Sequence, residues 1–421
     1  MFEKLDMTIP SNLLGLSEVE IDTIYLRNGS ELVIDVESTR EDTTCRNCGE
    51  ICEKHGYDRQ TELRHLPILG YKTYIRIKAH RGICNRCDVK PVTTTQTLDW
   101  YDRRSRHTKP YEDYLLFELV NSTFSDVSRK EDLDSHTIES ILNKKIETRT
   151  EFSAIKSLGV LGVDEISLRK GHKKYVSVIT YRATDKVHIL TVLEGRNKLA
   201  VKSFFESIPR RLRLTVSAVC SDLYEGYINA SKEVFGDKVI TADRFHVAKL
   251  YRKKLVNIRK SELAKLKKNL SSSKYQDLKD SIALLRKGKD YFTEEEKEVV
   301  KKLFDLLPKL RLAYQFSREL TAIFDTHQTK KQAEIQLQEW INTVQKSDLK
   351  AFDGFIVTLA KYMNEISNYF VARNNSGFVE GFNNKIKVLT RRSYGIKSAK
   401  RLFQRIKLDT EGLNMFRFMP A

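Results

Sequence analysis

Apolar residues after Ser157 follow the alternating spacing of β-strands. Three runs, LGVLGVDEISL, KKYVSVITYR and KVHILTVLEG, are separated by short polar turns, which predicts three neighbouring antiparallel strands. Helical spacing follows in LAVKSFFESIP, and LTVSAVCSDLY predicts a fourth, buried strand. The pattern therefore predicts a mixed α/β domain in which Asp164 closes the first strand and Asp222 lies just past the fourth.

Three short segments with helical spacing precede this domain, within residues 107–150. They are EDYLLFELVNS, TFSDVSRKEDL and DSHTIESILNKKI, and the last two open with Ser, Thr or Asp as helix caps. Short helix, turn and second helix fit a helix-turn-helix that binds DNA, although an ordinary helical bundle between two domains fits the same pattern. In the first interpretation the last helix presents four side chains to DNA: His136, Thr137, Ser140 and Lys144.

The segment after Asp222 is too long for one strand and one helix. Helical patterns fill most of it, which predicts a helical insertion over about 247–370. Residues 249–268 hold nine bases and one acid, so that one helix face either follows a phosphate backbone or is simply solvated. Trp340 fits a core position better than a platform for an unpaired base, since aromatic residues at helical spacing usually pack.

Five of the six cysteines lie between Cys45 and Cys87. The pairs CRNCG and CNRC each separate two thiols by two residues, with strand-like segments between them. This spacing predicts a closed, structural zinc ribbon over 45–90 whose ligands are Cys45, Cys48, Cys84 and Cys87. CRNCGEICEKH also offers Cys52 and His55 as an alternative local ligand set, and Cys220, in an apolar run, is predicted to be a core residue.

Composition and charge indicate a folded protein with an anionic partner. The 421 residues are 40% hydrophobic and carry a formal net charge of +18, enough apolar content for several domains. Residues 1–44 are net acidic and match no motif, so the positive charge lies in the rest of the chain. Such a surface favours double-stranded DNA, although charge alone also fits a solvated basic face. No run of about 18 apolar residues occurs and the first residues include acids, so we expect a cytoplasmic, nucleoid-associated protein without membrane contact.

An isolated acid, Glu380, stands among glycines and asparagines in NNSGFVEGFNNKIK. The helical spacing predicts a buried stripe of Val379, Phe382, Ile386 and Leu389. The opposite, polar face then carries Glu380, Asn383, Asn384, Lys387 and Arg391. Any single acid of this kind is more simply a turn former, a cap or a surface charge. Two strand-end aspartates and a helical glutamate together provide the oxygen ligands that two Mg²⁺ ions need for phosphoryl transfer.

At these residues the chain resembles bacterial insertion-sequence transposases of the ISL-three family. The resemblance lies in GVDEIS, CSDLYEGY, ADRFHVAKL and NNSGFVEGFNNKIKVLTRRSYGI, which follow the CRNCG and CNRC pairs, and it covers about Cys45 to Leu408. It implies a multidomain α/β protein with a zinc ribbon, a helix-turn-helix and an RNase H-like mixed-sheet catalytic domain over 157–421, interrupted by the helical insertion. It also implies that Asp164, Asp222 and Glu380 are the catalytic triad.

The resemblance further implies a cofactor set and a reaction. We expect two Mg²⁺ or Mn²⁺ ions in the active site, one structural Zn²⁺, and a homo-oligomer on DNA. Asp243 and His246 of ADRFH are expected to support catalysis or to form a structural pair near it. DNA contacts are also expected from Lys387, Arg391 and Arg392. The enzyme would bind terminal inverted repeats, cut the ends and use the freed 3′-hydroxyl to attack target DNA.

Two other functional classes fit parts of the sequence. A zinc-dependent DNA-binding regulator would use the ribbon and the helix-turn-helix without metal carboxylates. An RNase H-like nuclease or resolvase would cut DNA but never join it. An assay that follows both cutting and joining separates these classes from a transposase.

Overall fold

The computed structural model describes residues 2–87, 91–168, 175–184, 186–236, 240–267, 276, 284–285, 293–347, 349–372 and 377–416. The chain divides into two compact units. The first consists of Met1–Glu147 with Lys407–Ala421, and the second of Thr148–Ile406. Both units contain β-sheets and helices, so the mixed α/β class predicted from the sequence is confirmed.

The first unit begins with strands that include the acidic amino-terminal segment. They are β1 (Phe2–Lys4), β2 (Val19–Arg27), β3 (Glu31–Ser38), β4 (Glu53–Tyr57), β5 (Thr61–Ile68), β6 (Tyr71–Ile77), β7 (His80–Cys84) and β8 (Val92–Thr95). One sheet has the order β1-β2-β3-β6-β5, in which β3 and β6 are parallel and the other neighbours antiparallel. A smaller antiparallel sheet has the order β4-β7-β8.

The pairing of β3 with β6 joins two segments that the sequence-based division kept apart. That division separated residues 1–44 from a zinc ribbon over 45–90 that included the β5–β6 hairpin. The hairpin forms as predicted, but it belongs to the larger sheet. Ile34 pairs with Ile75 in the parallel register, and both pack with Leu63 in a fully buried core. One sheet and one core therefore extend across the boundary that the sequence-based division placed after residue 44.

Three helices follow the strands of the first unit. They are α1 (Lys109–Leu119), α2 (Phe124–Glu131) and α3 (Ser135–Lys145). Each begins at a residue whose side chain accepts a backbone N–H bond of the first turn: Thr108, Thr123 and Asp134. Three residues join α2 to α3, and Asp132 among them has a left-handed backbone with a φ of 54°. The three helical segments predicted from the sequence are therefore present.

The second unit contains one mixed sheet. Its strands are β9 (Gly159–Ser167), β10 (Tyr175–Arg182), β11 (His188–Glu194), β12 (Val216–Ser221) and β13 (Ile240–Ala242). The order is β11-β10-β9-β12-β13, with antiparallel pairing among β9, β10 and β11 and parallel pairing of β12 with β9 and β13. The three consecutive antiparallel strands and the later buried strand agree with the apolar pattern.

Helices cover both faces of this sheet and continue beyond it. They are α4 (Lys198–Ser207), α5 (Arg210–Arg213), α6 (Glu225–Phe235), α7 (Arg244–Leu266), α8 (Glu294–Leu306), α9 (Pro308–Asp325), α10 (Lys330–Lys346), α11 (Asp353–Lys361), α12 (Met363–Ser367), α13 (Tyr369–Ala372), α14 (Gly377–Arg392) and α15 (Ala399–Met415). On one face, α4 and α6 pack against Val163 and Ile179. On the other, α14 and α15 pack against Val176 and Val178.

The helices between β13 and α14 share a separate apolar core. Trp340 is buried in it, and its indole Nε1 donates to the carbonyl of Phe316 at 3.0 Å. The prediction of a core position for Trp340 is therefore confirmed. The predicted helical segment DLKDSIALLRK lies almost wholly outside the described residues. Among the helices that the structure describes, every one is too short or too polar to cross a lipid bilayer.

The end of the chain completes the core of the helix-turn-helix region. Leu408 on α15 is fully buried and packs with Leu115, Leu142 and other apolar residues of α1–α3. The carboxylate of Asp409 accepts from the backbone N–H of Asn121 at 3.2 Å. Residues 407–416, which the sequence-based division assigned to the catalytic domain, therefore pack with the first unit.

Candidate active site

The register of three neighbouring strands brings three aspartates to one edge of the second unit's sheet. Ser221 of β12 pairs with Val163 of β9 on one side and with Ala242 of β13 on the other. Each of these residues is followed by an aspartate, so Asp164, Asp222 and Asp243 lie side by side where the parallel pairing ends. Asp222 lies just past β12 as predicted, but Asp164 does not close its strand, because β9 continues to Ser167 in its pairing with β10. The pairing of β9 with β12 thus brings together Asp164 and Asp222, which lie far apart in the sequence.

Backbone and side-chain donors orient the first two carboxylates. Asp164 Oδ1 accepts from the backbone N–H of Glu165 at 2.7 Å, and Asp164 Oδ2 accepts from the side-chain amide of Asn383. Asp222 Oδ1 accepts from the backbone N–H of Tyr224 at 3.0 Å. Each carboxylate therefore has a fixed direction and still has lone pairs for another ligand.

Asp243 has a structural role beside these two. It is the N-cap of α7, and its Oδ1 accepts from the backbone N–H of Phe245 at 3.0 Å. Its other carboxylate oxygen, Oδ2, lies 3.6 Å from Nε2 of His246. The Asp-x-x-His element is thus a capped helix start in which the histidine faces the capping carboxylate.

Burial and neighbouring negative charge oppose the ionisation of Asp164 and Asp222. Burial raises the pKa of Asp164 to about 6, while the Glu165 amide and His246 lower it and the charges of Asp222 and Asp243 raise it. Burial also raises the pKa of Asp222 above its ordinary value, against the amide of Tyr224 and His246. Clustered carboxylates that resist ionisation are stabilised by a hard divalent cation, which prefers oxygen ligands. The donor set therefore fits a divalent metal.

Helix α14 carries the third predicted acid and a residue that sequence reasoning underestimated. Phe382, Ile386 and Leu389 are buried as predicted. Glu380 lies in the first turn of this helix, and its side chain is outside the described residues. Asn383, one turn later, was predicted on the polar face; it is instead 3% exposed and donates to Asp164. The sequence did contain a signal for this role, because Asn383 lies three residues after Glu380 and therefore on the same face of the helix.

Gly381 directly follows Glu380 in the first turns of α14. A Cβ atom placed there would meet no described atom within 4 Å. The glycine is therefore not required by packing against the sheet, and space remains beside the first turn of α14.

The predicted DNA contacts differ in accessibility. Lys387 and Arg391 on α14 are exposed, and Arg392 is half-buried. On α3, His136 and Ser140 are exposed and Thr137 is half-buried. Lys144 Nζ contacts the buried carboxylate of Glu112 at 2.9 Å and also pairs with Asp102. Lys144 thus forms ion pairs within the protein, in addition to the contact with DNA that was predicted for it.

The four predicted zinc ligands converge in the first unit. The Sγ atoms of Cys45 and Cys87, and those of Cys48 and Cys84, are each 3.6 Å apart; Cys87 lies 3.7 Å from Cys48 and 3.8 Å from Cys84. A tetrahedral Zn²⁺ with bonds of about 2.3 Å has sulfur–sulfur edges of about 3.8 Å. The geometry of the thiols fits one zinc ion. Within the described residues, this is the one cluster of three or more potential ligands whose atoms all lie within 4.8 Å of one another.

Cys52 packs beside this cluster, and the alternative ligand set is not assembled. Cys52 is buried against Cys45 and Cys84, while His55 is exposed on β4. Gly82 on β7 makes this packing possible, because a Cβ atom there would lie 2.5 Å from the Cβ of Cys52. Cys220 is fully buried in β12, which confirms its prediction as a core residue.

Comparisons with known proteins agree with this arrangement. Residues 161–406 match a family described as transposase, and residues 96–144 match the helix-turn-helix domain of transposase family ISL3. The chain is 24% identical over 387 residues to the transposase for insertion sequence element IS1001 of Bordetella parapertussis, which covers 91% of this chain and 93% of that protein. It is 21% identical over 422 residues to the transposase for insertion sequence element IS1557 of Mycobacterium tuberculosis, with 94% and 92% covered.

Proposed function

Because the chain belongs to the ISL3 family of transposases, enzymes that cleave and join DNA, we propose that it moves an insertion sequence by acting on its terminal inverted repeats. The reaction is hydrolysis of phosphodiesters at the ends, followed by attack of the freed 3′-hydroxyl on target DNA. The observation that carries the proposal is the placement of Asp164 and Asp222 on paired strands, next to the helix of Glu380, inside the span that matches the family.

We assign the second unit to an RNase H-like fold of the DDE type. Three consecutive antiparallel strands followed by two parallel ones, in the order β11-β10-β9-β12-β13, support this assignment. The helices of about 247–370 are then an insertion between β13 and the helix of the third acid. The domain extends from about residue 157 to residue 406, since the residues that follow pack with the first unit.

Asp164, Asp222 and Glu380 would hold two Mg²⁺ or Mn²⁺ ions. When bound, these ions activate the attacking oxygen and neutralise the leaving oxygen of an in-line displacement. Asn383 fixes the carboxylate of Asp164 through its amide, and the backbone N–H of Tyr224 fixes that of Asp222. His246 offsets negative charge in the site, since it lowers the pKa of both aspartates.

The first unit would recognise the DNA ends. The cysteine cluster binds one structural Zn²⁺ over 45–90, and the helix-turn-helix of 107–150 presents His136, Thr137 and Ser140 to DNA. Lys387 and Arg391 are exposed beyond the third acid and would contact the phosphate backbone near the active site. Because both ends of an element must be processed together, we propose a homo-oligomer on double-stranded DNA, in the cytoplasm and associated with the nucleoid.

The proposal is tested with purified protein and labelled duplexes of the DNA that flanks the coding sequence. We expect Mg²⁺-dependent cutting at the element boundary and joining of the freed end to a second duplex. Asp164→Ala, Asp222→Ala and Glu380→Ala should each lose both steps, by a thousandfold or more, while retaining end binding.

Glu334→Ala is the matched control for the glutamate, since Glu334 also lies on a helix after Asp222, and its partners among the described residues are Ser367 and Lys330 of the helical region. Glu365 is unsuitable as a control because it is buried and paired with Lys232 at 2.5 Å, so its loss would destabilise the fold. Cleavage by Glu380→Ala at the wild-type rate would refute its assignment. Cutting without joining would favour a resolvase, and specific binding without cutting would favour a regulator.

A further inference from the structure

An arginine is held between two aromatic rings at the edge of the candidate active site. Arg196 follows β11, and its guanidinium lies 5.1 Å from the ring centre of Tyr175 and 5.2 Å from that of Tyr224. Its Nη1 atom is 3.3 Å from a carboxylate oxygen of Glu165. Two rings and one carboxylate therefore restrict a side chain that remains about half exposed, at 49%.

The neighbours of Arg196 are joined to the two aspartates. Glu165 directly follows Asp164, and its backbone N–H binds the Asp164 carboxylate. Tyr224 lies two residues after Asp222, and its backbone N–H binds that carboxylate. Strand alternation points the Glu165 side chain to the face of the sheet covered by α4 and α6, opposite the Asp164 carboxylate, which meets Asn383 of α14. The guanidinium therefore lies on the α4 and α6 face, at the same edge of the sheet as the two carboxylates.

The backbone before Arg196 is fixed. Gly195 has a φ of 75°, a conformation that favours glycine, and its N–H donates to the carbonyl of Tyr175 at 2.9 Å. The carbonyl of Gly195 accepts from the hydroxyl of Ser177 at 2.8 Å, and that hydroxyl also bonds to buried Tyr227. The turn before Arg196 is therefore held to the sheet through both the N–H and the carbonyl of Gly195.

We propose that Arg196 binds a backbone phosphate of the DNA strand next to the phosphate that is attacked. The inference rests on the proposed function, since it assumes that the neighbouring carboxylates are the site of DNA cleavage. A guanidinium offers a planar set of donors that fits two phosphate oxygens, and contact with Glu165 through one nitrogen leaves others for such a ligand. An exposed pair with Glu165 alone would contribute little to stability, whereas the two neighbouring rings restrict the orientation of the guanidinium for recognition.

Binding without Mg²⁺ provides the first test. Arg196→Ala should reduce the slope of log affinity against log salt by about 0.9 on duplexes of the flanking DNA, the value for one phosphate contact. Arg210→Ala is the matched control: it removes an exposed arginine of α5, before the start of β12 and at the opposite end of that strand from Asp222, and should leave the slope and the cleavage rate unchanged. An unchanged slope in Arg196→Ala would contradict the proposal.

Cleavage of modified DNA identifies the contact. We expect Arg196→Ala to cut unmodified ends on the order of 10- to 100-fold more slowly, with Arg196→Lys intermediate. Single uncharged methylphosphonates are placed one at a time around the cleavage site. At one flanking position the modification should slow cleavage by the wild type but have no effect on cleavage by Arg196→Ala. At the other positions the two proteins should respond alike. A structural role would slow Arg196→Ala but leave its methylphosphonate profile like that of the wild type, which would overturn the proposal.

The Glu165→Gln variant separates phosphate binding from the ion pair. It removes the partner charge and keeps Arg196, so DNA binding should be at least as tight as in the wild type. Weaker binding, equal to that of Arg196→Ala, would show that the pair itself matters and would also overturn the proposal. If the wild type binds the ends with the expected slope but never cuts them, the proposed function fails while the phosphate contact is still measured.

Discussion

Asp164→Asn should stabilise the magnesium-free protein while abolishing cleavage. Because the folded-state pKa of Asp164 is raised to about 6, above its ordinary value of 3.8, ionising this carboxyl favours the unfolded chain. The folded state therefore loses stability as the pH rises from about 4 to about 6, and the loss is complete above that range. At about 1.4 kcal/mol for each pH unit, it amounts to about 3 kcal/mol at neutral pH.

The substitution fits the local hydrogen bonds. Both oxygens of Asp164 accept bonds, from the backbone of Glu165 and from the amide of Asn383. An asparagine keeps one acceptor and turns the other into a donor. The buried carbonyl oxygen of Asn383 has no hydrogen-bond partner among the residues that the structure describes, so a flip of its amide would let it accept from the new donor.

Thermal unfolding of the full-length protein, with its zinc retained and no magnesium added, measures the effect. At pH 7.5 the transition of the second unit should rise by roughly 5–10 °C for Asp164→Asn. At pH 4.5, where the wild-type carboxyl is protonated, the gain should shrink to about 1 kcal/mol. Asp305→Asn, at an exposed aspartate, is the control and should leave the stability of the second unit unchanged at both pH values. A gain that is absent at pH 7.5, or that is equal at the two pH values, would refute the reasoning.

Two further predictions concern the cysteine cluster and the amide of Asn383. Cys84→Ser should lose the bound zinc and end binding together, because the small sheet around the thiols has little other core; full zinc content by metal analysis would disprove the ligand set. Asn383→Leu should slow cleavage about tenfold or more and move the acidic limb of the pH–rate profile upward, because the donated bond favours ionised Asp164. Asn342→Ala on α10 is the control and should cleave at the normal rate. If the acidic limb of the pH–rate profile does not shift in Asn383→Leu, the hydrogen bond from Asn383 does not act on the ionisation of Asp164.

Local patterns were sufficient to predict most elements of the second unit. Alternation identified β9, β10, β11 and β12, because each strand is bounded by polar turns. Short-range spacing also identified the four cysteines, which lie in two tight turns. Both signals act within about ten residues, so the sequence alone contains them.

Pairings between distant segments were not predictable in the same way. Nothing near residues 31–36 indicates that they pair in parallel with residues 72–77. Likewise, Leu408 is one apolar residue on a long helix, and only the folded chain places it among α1–α3. A fragment ending at Thr150 would lack this part of the core, so DNA recognition should be studied in the full chain.

Two acids, Glu380 and Asp243, compete for the role of third metal ligand in the proposed site. Strand register places Asp243 beside Asp222, but its oxygens are occupied by the first turn of α7 and by His246. A capping carboxylate that is 3% exposed has little freedom to bind a metal. Glu380 lies in the first turn of α14, the next turn of this helix reaches Asp164 through Asn383, and a Cβ atom at Gly381 would meet no described atom. The arrangement therefore favours Glu380 as the third ligand and Asp243 as the residue that fixes His246 next to the site.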